Sequence, residues 1–341
     1  SVPHTGKDLY MIYSMRANNE LHGNRVEAYL QDNWHFRSGN DSIPTLYTLN
    51  YGVRFAHWNF NGESIFSPRA SLSITPSFNR NLTFRFATGL YYQAPFYKEL
   101  RDTSTVNGIT YATLNKDIKS QRSIHAIASM EYRFEMMNRP FKFTAEMYYK
   151  ALSRLVPYSV NNVKVVYYGD NEASGHAMGI DLKLFGEFVP GSDSWLTLSL
   201  MDTKMKLNGK SIPLPTDQRY AVNFFFTDYF PGTTKWKMNL KLAYADGLPF
   251  SAPHRELENS SFRAPAYKRV DIGMSYRLYD NNERTKKSIF KNIWLGLDCL
   301  NLFGISNVNS YYWVTDVTNQ QYAVPNYLTG RQINGRVLFE F

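Results

Sequence analysis

Apolar and polar side chains alternate with period two along most of this chain of 341 residues. In one such run the apolar positions are Leu82, Phe84, Phe86 and Leu90, and the positions between them are Thr83, Arg85, Ala87 and Gly89. Because successive side chains of a β-strand point to opposite faces, this spacing predicts strands with one apolar and one polar face. No helix-period segment of useful length interrupts the pattern.

Alternation and turn residues together predict fourteen strands. They lie near residues 7–16, 24–37, 44–60, 66–75, 80–92, 121–135, 140–152, 174–188, 193–206, 217–229, 234–246, 267–279, 290–303 and 331–341. The tight connections are 76–79, 136–139, 189–192 and 230–233, and the long ones are 93–120, 153–173, 247–266 and 304–330. Short turns on one side and long loops on the other are typical of outer-membrane barrels, with the long loops outside the cell.

The composition supports a membrane barrel over other classes. Aromatic residues make up 16% of the chain, yet the mean hydropathy is −0.41 and no run approaches the ~20 apolar residues of a membrane helix. Only every second residue of a barrel strand meets lipid, and aromatic girdles mark both interfaces. The alternating last strand ends at Phe341, as outer-membrane barrels tend to end. A soluble sandwich also buries alternating faces, so a secreted β-protein or adhesin remains an alternative.

Charged residues recur on the polar faces. A lysine-rich strand face requires water, so we predict that these residues face the barrel lumen: Arg85, Lys235, Lys237, Lys241, Arg269, Asp271, Arg277, Asp298 and Arg336. The net charge of +9 is spread over many strands rather than gathered in one patch, which argues against nucleic-acid binding.

Catalytic and metal chemistry have no counterpart in the sequence. The seven histidines lack metal-ligand spacing, and no nucleotide-binding or catalytic motif is present, so we expect no enzyme activity, metal or cofactor. Aromatic and charged residues in the long loops suit capture of a large ligand. The candidates are Phe96, Tyr97, Arg101, Tyr111, Tyr311, Tyr312, Trp313 and Asp316. The alternative is that these side chains only pack the loops or mark the membrane interface.

A series of short motifs, in order from residue 24 to 341, resembles the C-terminal barrel of TonB-dependent outer-membrane receptors. The motifs are Ala28-Tyr29-Leu30-Gln31-Asp32-Asn33-Trp34, Tyr51-Gly52-Val53-Arg54-Phe55, Ser67-Pro68-Arg69, Ala94-Pro95-Phe96 with Glu99-Leu100, Gly179-Ile180-Asp181, Tyr267 with Arg269-Val270-Asp271, Asn301-Leu302-Phe303, and Gly330-Arg331 with Phe341. The style of the sequence is similar to receptors from the Bacteroidetes.

The resemblance implies a barrel of about 22 strands with a plugged lumen. Residues 1–341 would then be the C-terminal portion of an antiparallel transmembrane β-barrel, with the plug domain and about eight first strands absent from this sequence. The implied function is active import of a bulky, scarce nutrient, such as an iron chelate, corrinoid, glycan or peptide. Partners compatible with the resemblance are outer-membrane lipid, the TonB complex acting through the plug, and a surface lipoprotein. Fourteen strands could instead close as a smaller passive channel.

Overall fold

The protein is a chain of antiparallel β-strands joined by loops that carry small sheets of their own. A computed structural model describes residues 15–17, 19–39, 42–106, 109–161, 164–189, 192–251, 261–281, 289–318 and 320–341. The strands are β1 (Met15–Ala17), β2 (Arg25–Ser38), β3 (Thr45–Trp58), β4 (Glu63–Thr75), β5 (Leu82–Gln93), β6 (Arg101–Val106), β7 (Ile109–Leu114), β8 (Gln121–Met136), β9 (Arg139–Leu155), β10 (Tyr158–Asn161), β11 (Lys164–Tyr167), β12 (Ala173–Val189), β13 (Ser192–Leu207), β14 (Lys210–Pro213), β15 (Tyr220–Tyr229), β16 (Trp236–Ala245), β17 (Pro249–Ser251), β18 (Ser261–Arg263), β19 (Tyr267–Asp280), β20 (Asn292–Leu300), β21 (Val308–Thr315), β22 (Gln321–Tyr327) and β23 (Gln332–Glu340).

One sheet dominates the structure, and we call it the wall. It contains fourteen strands, of which thirteen follow one path, β2-β3-β4-β5-β8-β9-β12-β13-β15-β16-β19-β20-β23, while the short β14 pairs only with β13. Neighbours along the path are antiparallel. The prediction of an all-β antiparallel barrel wall of about fourteen strands is therefore confirmed.

The wall is open between the described residues, because no ladder joins β2 to β23. Every residue of β2 is exposed, and so is nearly every residue of β23. A closed channel of fourteen strands would need its two ends to pair, and the described part of the chain makes no such pair.

Cross-strand register keeps one face polar across the whole wall. Directly paired residues project to the same face, so pairing can be followed from strand to strand. From Arg85 the pairs run through Ser129, Glu146, Asp181, Ser199 and Ala221 to Ala245, and Lys241 pairs with Asp271 in the next ladder. We call this side the polar face and the other side the apolar face. The sequence pattern therefore predicts correctly which residues share a face.

Two rims bound the wall. The short-turn rim carries the connections near residues 137–138 and 230–235, and the long-loop rim carries those between β5 and β8, β9 and β12, β16 and β19, and β20 and β23. Four of the small sheets are formed within the long loops: β1-β7-β6, β10-β11, β17-β18 and β21-β22. The predicted alternation of short turns and long loops is confirmed.

The described end of the first predicted strand lies outside the wall. Residues 7–14 of the predicted strand 7–16 lie outside the described residues. The described part, β1, pairs in parallel with β7, so that Met15 lies opposite Thr110 in a loop sheet. Period-two alternation identifies a strand but not its partner, and this strand joins a neighbouring loop hairpin instead of the edge of the wall.

Buried hydrophobic clusters lie under the loops rather than within the wall. A single sheet cannot bury either face against itself, so large apolar side chains such as Phe66 and Met147 are about 60% exposed. The two buried clusters are centred on Met205 and Ile212 and on Leu100 and Ile118, all at the long-loop rim. The described residues contain no α-helix, and hence none long and apolar enough to cross a membrane.

Candidate functional site

An arginine clasp joins two long loops at the rim. Arg263 of β18 donates from Nη2 to the Asp217 carboxylate and from Nη1 to Asp246 Oδ2 at 3.2 Å, and Nη1 also donates to the carbonyls of Asp217 and Gly247 at 2.8 and 3.2 Å. Arg219 Nε donates to Asp246 Oδ2 at 2.5 Å. These hydrogen bonds from Arg219 are the largest of the causes that hold the pKa of Asp246 below its usual range. Asp246 therefore stays ionised at neutral pH. We call Arg219, Asp217, Asp246 and Arg263 together the clasp.

The buried end of the clasp is anchored on the wall. Asp217 is 1% exposed, and its Oδ1 accepts hydrogen bonds from the backbone N–H and the hydroxyl of Thr203 at 2.8 and 3.2 Å. A buried carboxylate is tolerated when its lone pairs are satisfied and an opposite charge is near. The clasp thus fixes the loop after β14 and the β17-β18 hairpin to the top of β13.

Glu63 and Asn171 connect three further loops. Glu63 Oε2 accepts from the N–H and the hydroxyl of Ser120 at 2.9 and 2.5 Å. Asn171 donates from Nδ2 to the carbonyls of Lys119 and Arg154 at 3.0 and 2.9 Å, and its Oδ1 accepts from Lys119 N at 2.7 Å. The connections β3-β4, β5-β8 and β9-β12 are therefore held together by side-chain to backbone hydrogen bonds.

Glu99 closes a buried turn in the β5-β8 loop. Its Oε2 accepts from Phe96 N at 2.7 Å, and its Oε1 accepts from Gln121 Nε2 at 3.0 Å. The residue is 4% exposed, and burial raises the pKa of its carboxyl, although both hydrogen bonds oppose that shift.

A pocket of about 330 Å³ lies beside the clasp, between four loops. Five aromatic residues line it, namely Tyr158, Phe250, Tyr267, Tyr311 and Trp313. Four prolines also line it, namely Pro213, Pro215, Pro249 and Pro265. Phe250 and Tyr311 stack with ring centroids 4.4 Å apart. Burial raises the pKa of Tyr158, so its phenol remains a hydrogen-bond donor at neutral pH. Because Asp246 in the lining is already paired with two arginines, the pocket suits an apolar or aromatic group better than a cation.

Asparagines brace the loop between β20 and β23. Asn301 has a positive φ of 52° and exchanges two hydrogen bonds with Ile305, from Nδ2 to the carbonyl at 2.9 Å and from Ile305 N to Oδ1 at 3.0 Å. Asn307 does the same with Lys268, through bonds of 2.8 and 2.9 Å. The motif Asn301-Leu302-Phe303 is therefore a bracket that turns the chain at the end of β20.

The predicted ligand-binding residues divide between two places. Tyr311 and Trp313 line the pocket, whereas Tyr312, between them on β21, is 44% exposed. Asp316 caps the tip of the hairpin, where the Thr318 hydroxyl, the largest of several causes, helps to lower the pKa of its carboxyl. The remaining candidates, Phe96, Tyr97, Arg101 and Tyr111, lie in the β5-β8 loop and are not among the residues that line this pocket.

Sequence reasoning missed the pocket residues that come from the other loops. Phe250, Tyr158, Tyr267 and the four prolines come from connections that are distant in sequence, so no local pattern groups them. The signals were Pro213-Leu214-Pro215 and Gly247-Leu248-Pro249-Phe250, proline-rich segments that present fixed apolar surface next to aromatic rings.

The residues predicted to face the lumen all share the polar face. Lys237, Lys241, Asp271, Asp298 and Arg336 are joined through the ladders of β16, β19, β20 and β23. The others are Arg85, Arg269 and Arg277 within strands, and Lys235 in the turn before β16. Arg85 contacts Glu131 at 3.3 Å, and Arg336 contacts Asp298 at 3.7 Å. Among the described residues no group of three or more His, Cys, Asp or Glu side chains could hold a metal ion.

The family assignment rests on a sequence model. The model for "TonB dependent receptor-like, beta-barrel" matches residues 5–302, most of the chain. The chain belongs to this family. Membership places the wall in the outer membrane. In such barrels the long loops lie outside the cell and the short turns lie in the periplasm. No match was found among curated protein sequences.

Solved structures of similar fold are outer-membrane receptors and transporters. A mutant ferric enterobactin receptor of Pseudomonas aeruginosa in complex with enterobactin has a TM-score of 0.62 and 15% identity, over 86% of this chain and 45% of that one. The outer membrane transporter YddB of Escherichia coli has a TM-score of 0.59 and 14% identity, over 90% of this chain and 45% of that one. The ferric yersiniabactin uptake receptor FyuA of Yersinia pestis has a TM-score of 0.58 and 12% identity, over 92% of this chain and 45% of that one. The chain thus spans less than half the length of these structures.

Proposed function

We propose that this chain is the C-terminal part of the barrel wall of a TonB-dependent transporter that imports a bulky nutrient. The family match supports the assignment, and the open edges of the wall support a larger barrel. Unpaired strand edges do not persist in a lipid bilayer, so further strands must complete the wall. In this proposal they precede β2, together with a plug that fills the lumen and contacts TonB.

The pocket at the long-loop rim carries the ligand-binding part of the proposal. Aromatic rings and prolines from several loops line it, and two arginines of the clasp neutralise Asp246, the one carboxylate in the lining. Such a site suits an uncharged aromatic or apolar portion of a ligand, with hydrogen bonds from Tyr158 and Gln218. Iron chelates, corrinoids, glycans and peptides remain the candidate classes, and a surface lipoprotein remains a possible partner.

Binding and uptake by the full-length receptor test this proposal. Purified protein is titrated with one member of each class, namely a ferric catecholate chelate, a cobalamin, an oligosaccharide and a peptide. For the ligand that binds, Trp313→Ala should weaken affinity about 30-fold, as for a buried tryptophan at the centre of an interface. Tyr312→Ala, the exposed neighbour on the same strand, is the matched control and should change affinity less than about twofold.

Energy dependence separates active import from a passive channel. Cells that accumulate the labelled ligand should lose accumulation when the inner-membrane proton gradient is collapsed or TonB is deleted. Uptake that persists under both conditions would refute active transport. In the binding experiment, an equal loss of affinity in Trp313→Ala and Tyr312→Ala would show that the pocket is not the ligand site.

A further inference from the structure

The apolar face carries a groove between β4 and β9 that the transport function leaves unexplained. The groove measures about 600 Å³ and is lined almost wholly by apolar atoms. Its floor consists of small side chains, Ala70, Thr88, Ala126 and Ala128, and its sides include Phe86 and Met147, which are 48% and 59% exposed. In the proposed barrel this face meets lipid, so a groove with a floor of small side chains is a place where a hydrocarbon chain can lie.

Basic side chains follow the groove on the same face, toward the long-loop rim. The pair Ala126 and Tyr149 is followed two rows further along β8 and β9 by the pair Arg122 and Ser153. One row nearer the groove, Ala151 pairs with His176 and His176 pairs with Lys204 across the next two ladders. Since a strand rises about 3.3 Å per residue, Arg122 lies about 13 Å from Ala126 along the strand. The cluster therefore sits where the apolar band ends and lipid headgroups begin.

The cluster has positive charge and unused donor capacity. Arg122 donates from Nε to Ser153 Oγ at 2.9 Å, a bond that uses one of its several N–H groups. Lys204 Nζ lies 2.9 Å from Asp202 Oδ1, and His176 Nε2 donates to Asp202 Oδ2 at 2.8 Å. Asp202 is the one acidic partner here, whereas Arg122 and Lys204 are both cationic, and the exposed Lys206 adds a third positive charge on the same face of β13.

We propose that this surface binds a phosphate-bearing, acylated lipid of the outer leaflet. An acyl chain lies in the groove, and the headgroup phosphates contact Arg122 on β8 and Lys204 on β13. Guanidinium and ammonium groups are the side chains that recognise phosphate, and aromatic residues such as Tyr149, stacked on His176 at 6.4 Å, mark the interface. The proposal rests on the outer-membrane location and on these two neighbouring features, and it does not depend on what the protein transports.

Lipid retention by the delipidated full-length protein tests the proposal. Native mass spectrometry compares lipid A carrying its phosphates, the same lipid after dephosphorylation, and phosphatidylcholine. Phosphorylated lipid A should bind best. Each basic residue near an anionic lipid surface contributes about fivefold, so Arg122→Gln with Lys204→Gln should weaken its retention about 25-fold. Lys183→Gln is the matched control, because Lys183 lies on the polar face of β12 and should leave lipid retention unchanged.

A groove variant tests the second part of the surface. Ala126→Phe fills the floor of the groove and should weaken retention of phosphorylated and dephosphorylated lipid alike, whereas the charge variant should affect only the phosphorylated form. Equal retention of the two lipid forms by the wild-type protein would overturn the proposal. Wild-type retention by the double charge variant, or an equal loss with Lys183→Gln, would overturn it as well.

Discussion

Replacing Arg263 by methionine is expected to open the long-loop rim while leaving the wall intact. The guanidinium is one partner of a buried ion pair, since the Asp217 side chain is 1% exposed and that of Arg263 is 25% exposed. Removing one partner of such a pair costs about 3–5 kcal/mol. Asp217 keeps its two hydrogen bonds from Thr203, so we expect the lower end, about 3 kcal/mol, or roughly a 100-fold increase in loop opening.

Hydrogen exchange measures this opening directly. The informative amides are Asp217 N, which donates to Leu214 O at 2.8 Å, and Ala264 N, which donates to Leu248 O at 3.0 Å. Both should exchange about 100-fold faster in the variant, whereas amides within the β8-β9 ladder should not change. Arg219→Met is the comparison: its side chain is 57% exposed, and Asp246 keeps its ion pair with Arg263, so we expect a smaller increase in exchange.

A double variant distinguishes charge burial from loss of packing. Arg263→Met with Asp217→Asn removes both charges but keeps an oxygen that can accept from Thr203. It should restore most of the lost protection, because the cost arises from the unpaired buried carboxylate. If Arg263→Met leaves exchange at Asp217 and Ala264 unchanged, the clasp does not hold this rim. If Arg219→Met opens the loops equally, the cost does not arise from the buried pair of Arg263 and Asp217.

Three further predictions concern the effect of pH, the Asn301 bracket, and the close approach of β12 and β13 at Gly175. Because the pKa of Glu99 is raised, its turn should lose protection from hydrogen exchange as pH rises through that pKa. Because the pKa of Asp246 is lowered, the clasp should lose protection as pH falls below about 3.8. Exchange rates corrected for the intrinsic pH dependence measure both, and loss of protection in the same pH direction at the two places would contradict the prediction. Asn301→Ala should cost about 2–3 kcal/mol in urea unfolding and Asn301→Gly less, because glycine tolerates the positive φ; equal costs would exclude backbone strain. Gly175→Ala should destabilise the wall by more than about 2 kcal/mol, since its Cβ would lie 2.3 Å from the Lys204 carbonyl, while Gly335→Ala, with open space, should be neutral or slightly stabilising.

Period-two alternation was enough to predict the wall because each strand is amphipathic by itself. The strands containing Phe84, Met238 and Val270 have the predicted faces, and their ladders join those faces without a slip. The pattern could not assign β1, because a partner is set by contacts distant in sequence. The positions of the predicted loop residues were equally inaccessible: Trp313 and Phe250 line one pocket although they come from different loops.

The clasp and the loop bonds were also beyond sequence reasoning. Arg263, Asp217 and Asp246 lie in two connections and carry no motif, so only their positions in three dimensions reveal the pairing. The placement of the lumen on the polar face, the missing plug and the likeness to Bacteroidetes receptors stay predictions. The family itself was accessible, because its motifs are local in sequence, and at turns such as Asn301-Leu302-Phe303 the backbone geometry restricts the residue type.

The direction of the two edge strands restricts how the wall can be completed. β2 begins at the long-loop rim, where Arg25 pairs with Trp58, and β23 begins at the same rim, where Gln332 pairs with Leu300. Joined directly, or to the opposite edge of a second copy, they would form a parallel seam, which bacterial single-chain barrels with their even number of antiparallel strands do not contain. An antiparallel closure needs an odd number of added strands, and a barrel of about 22 would take about nine.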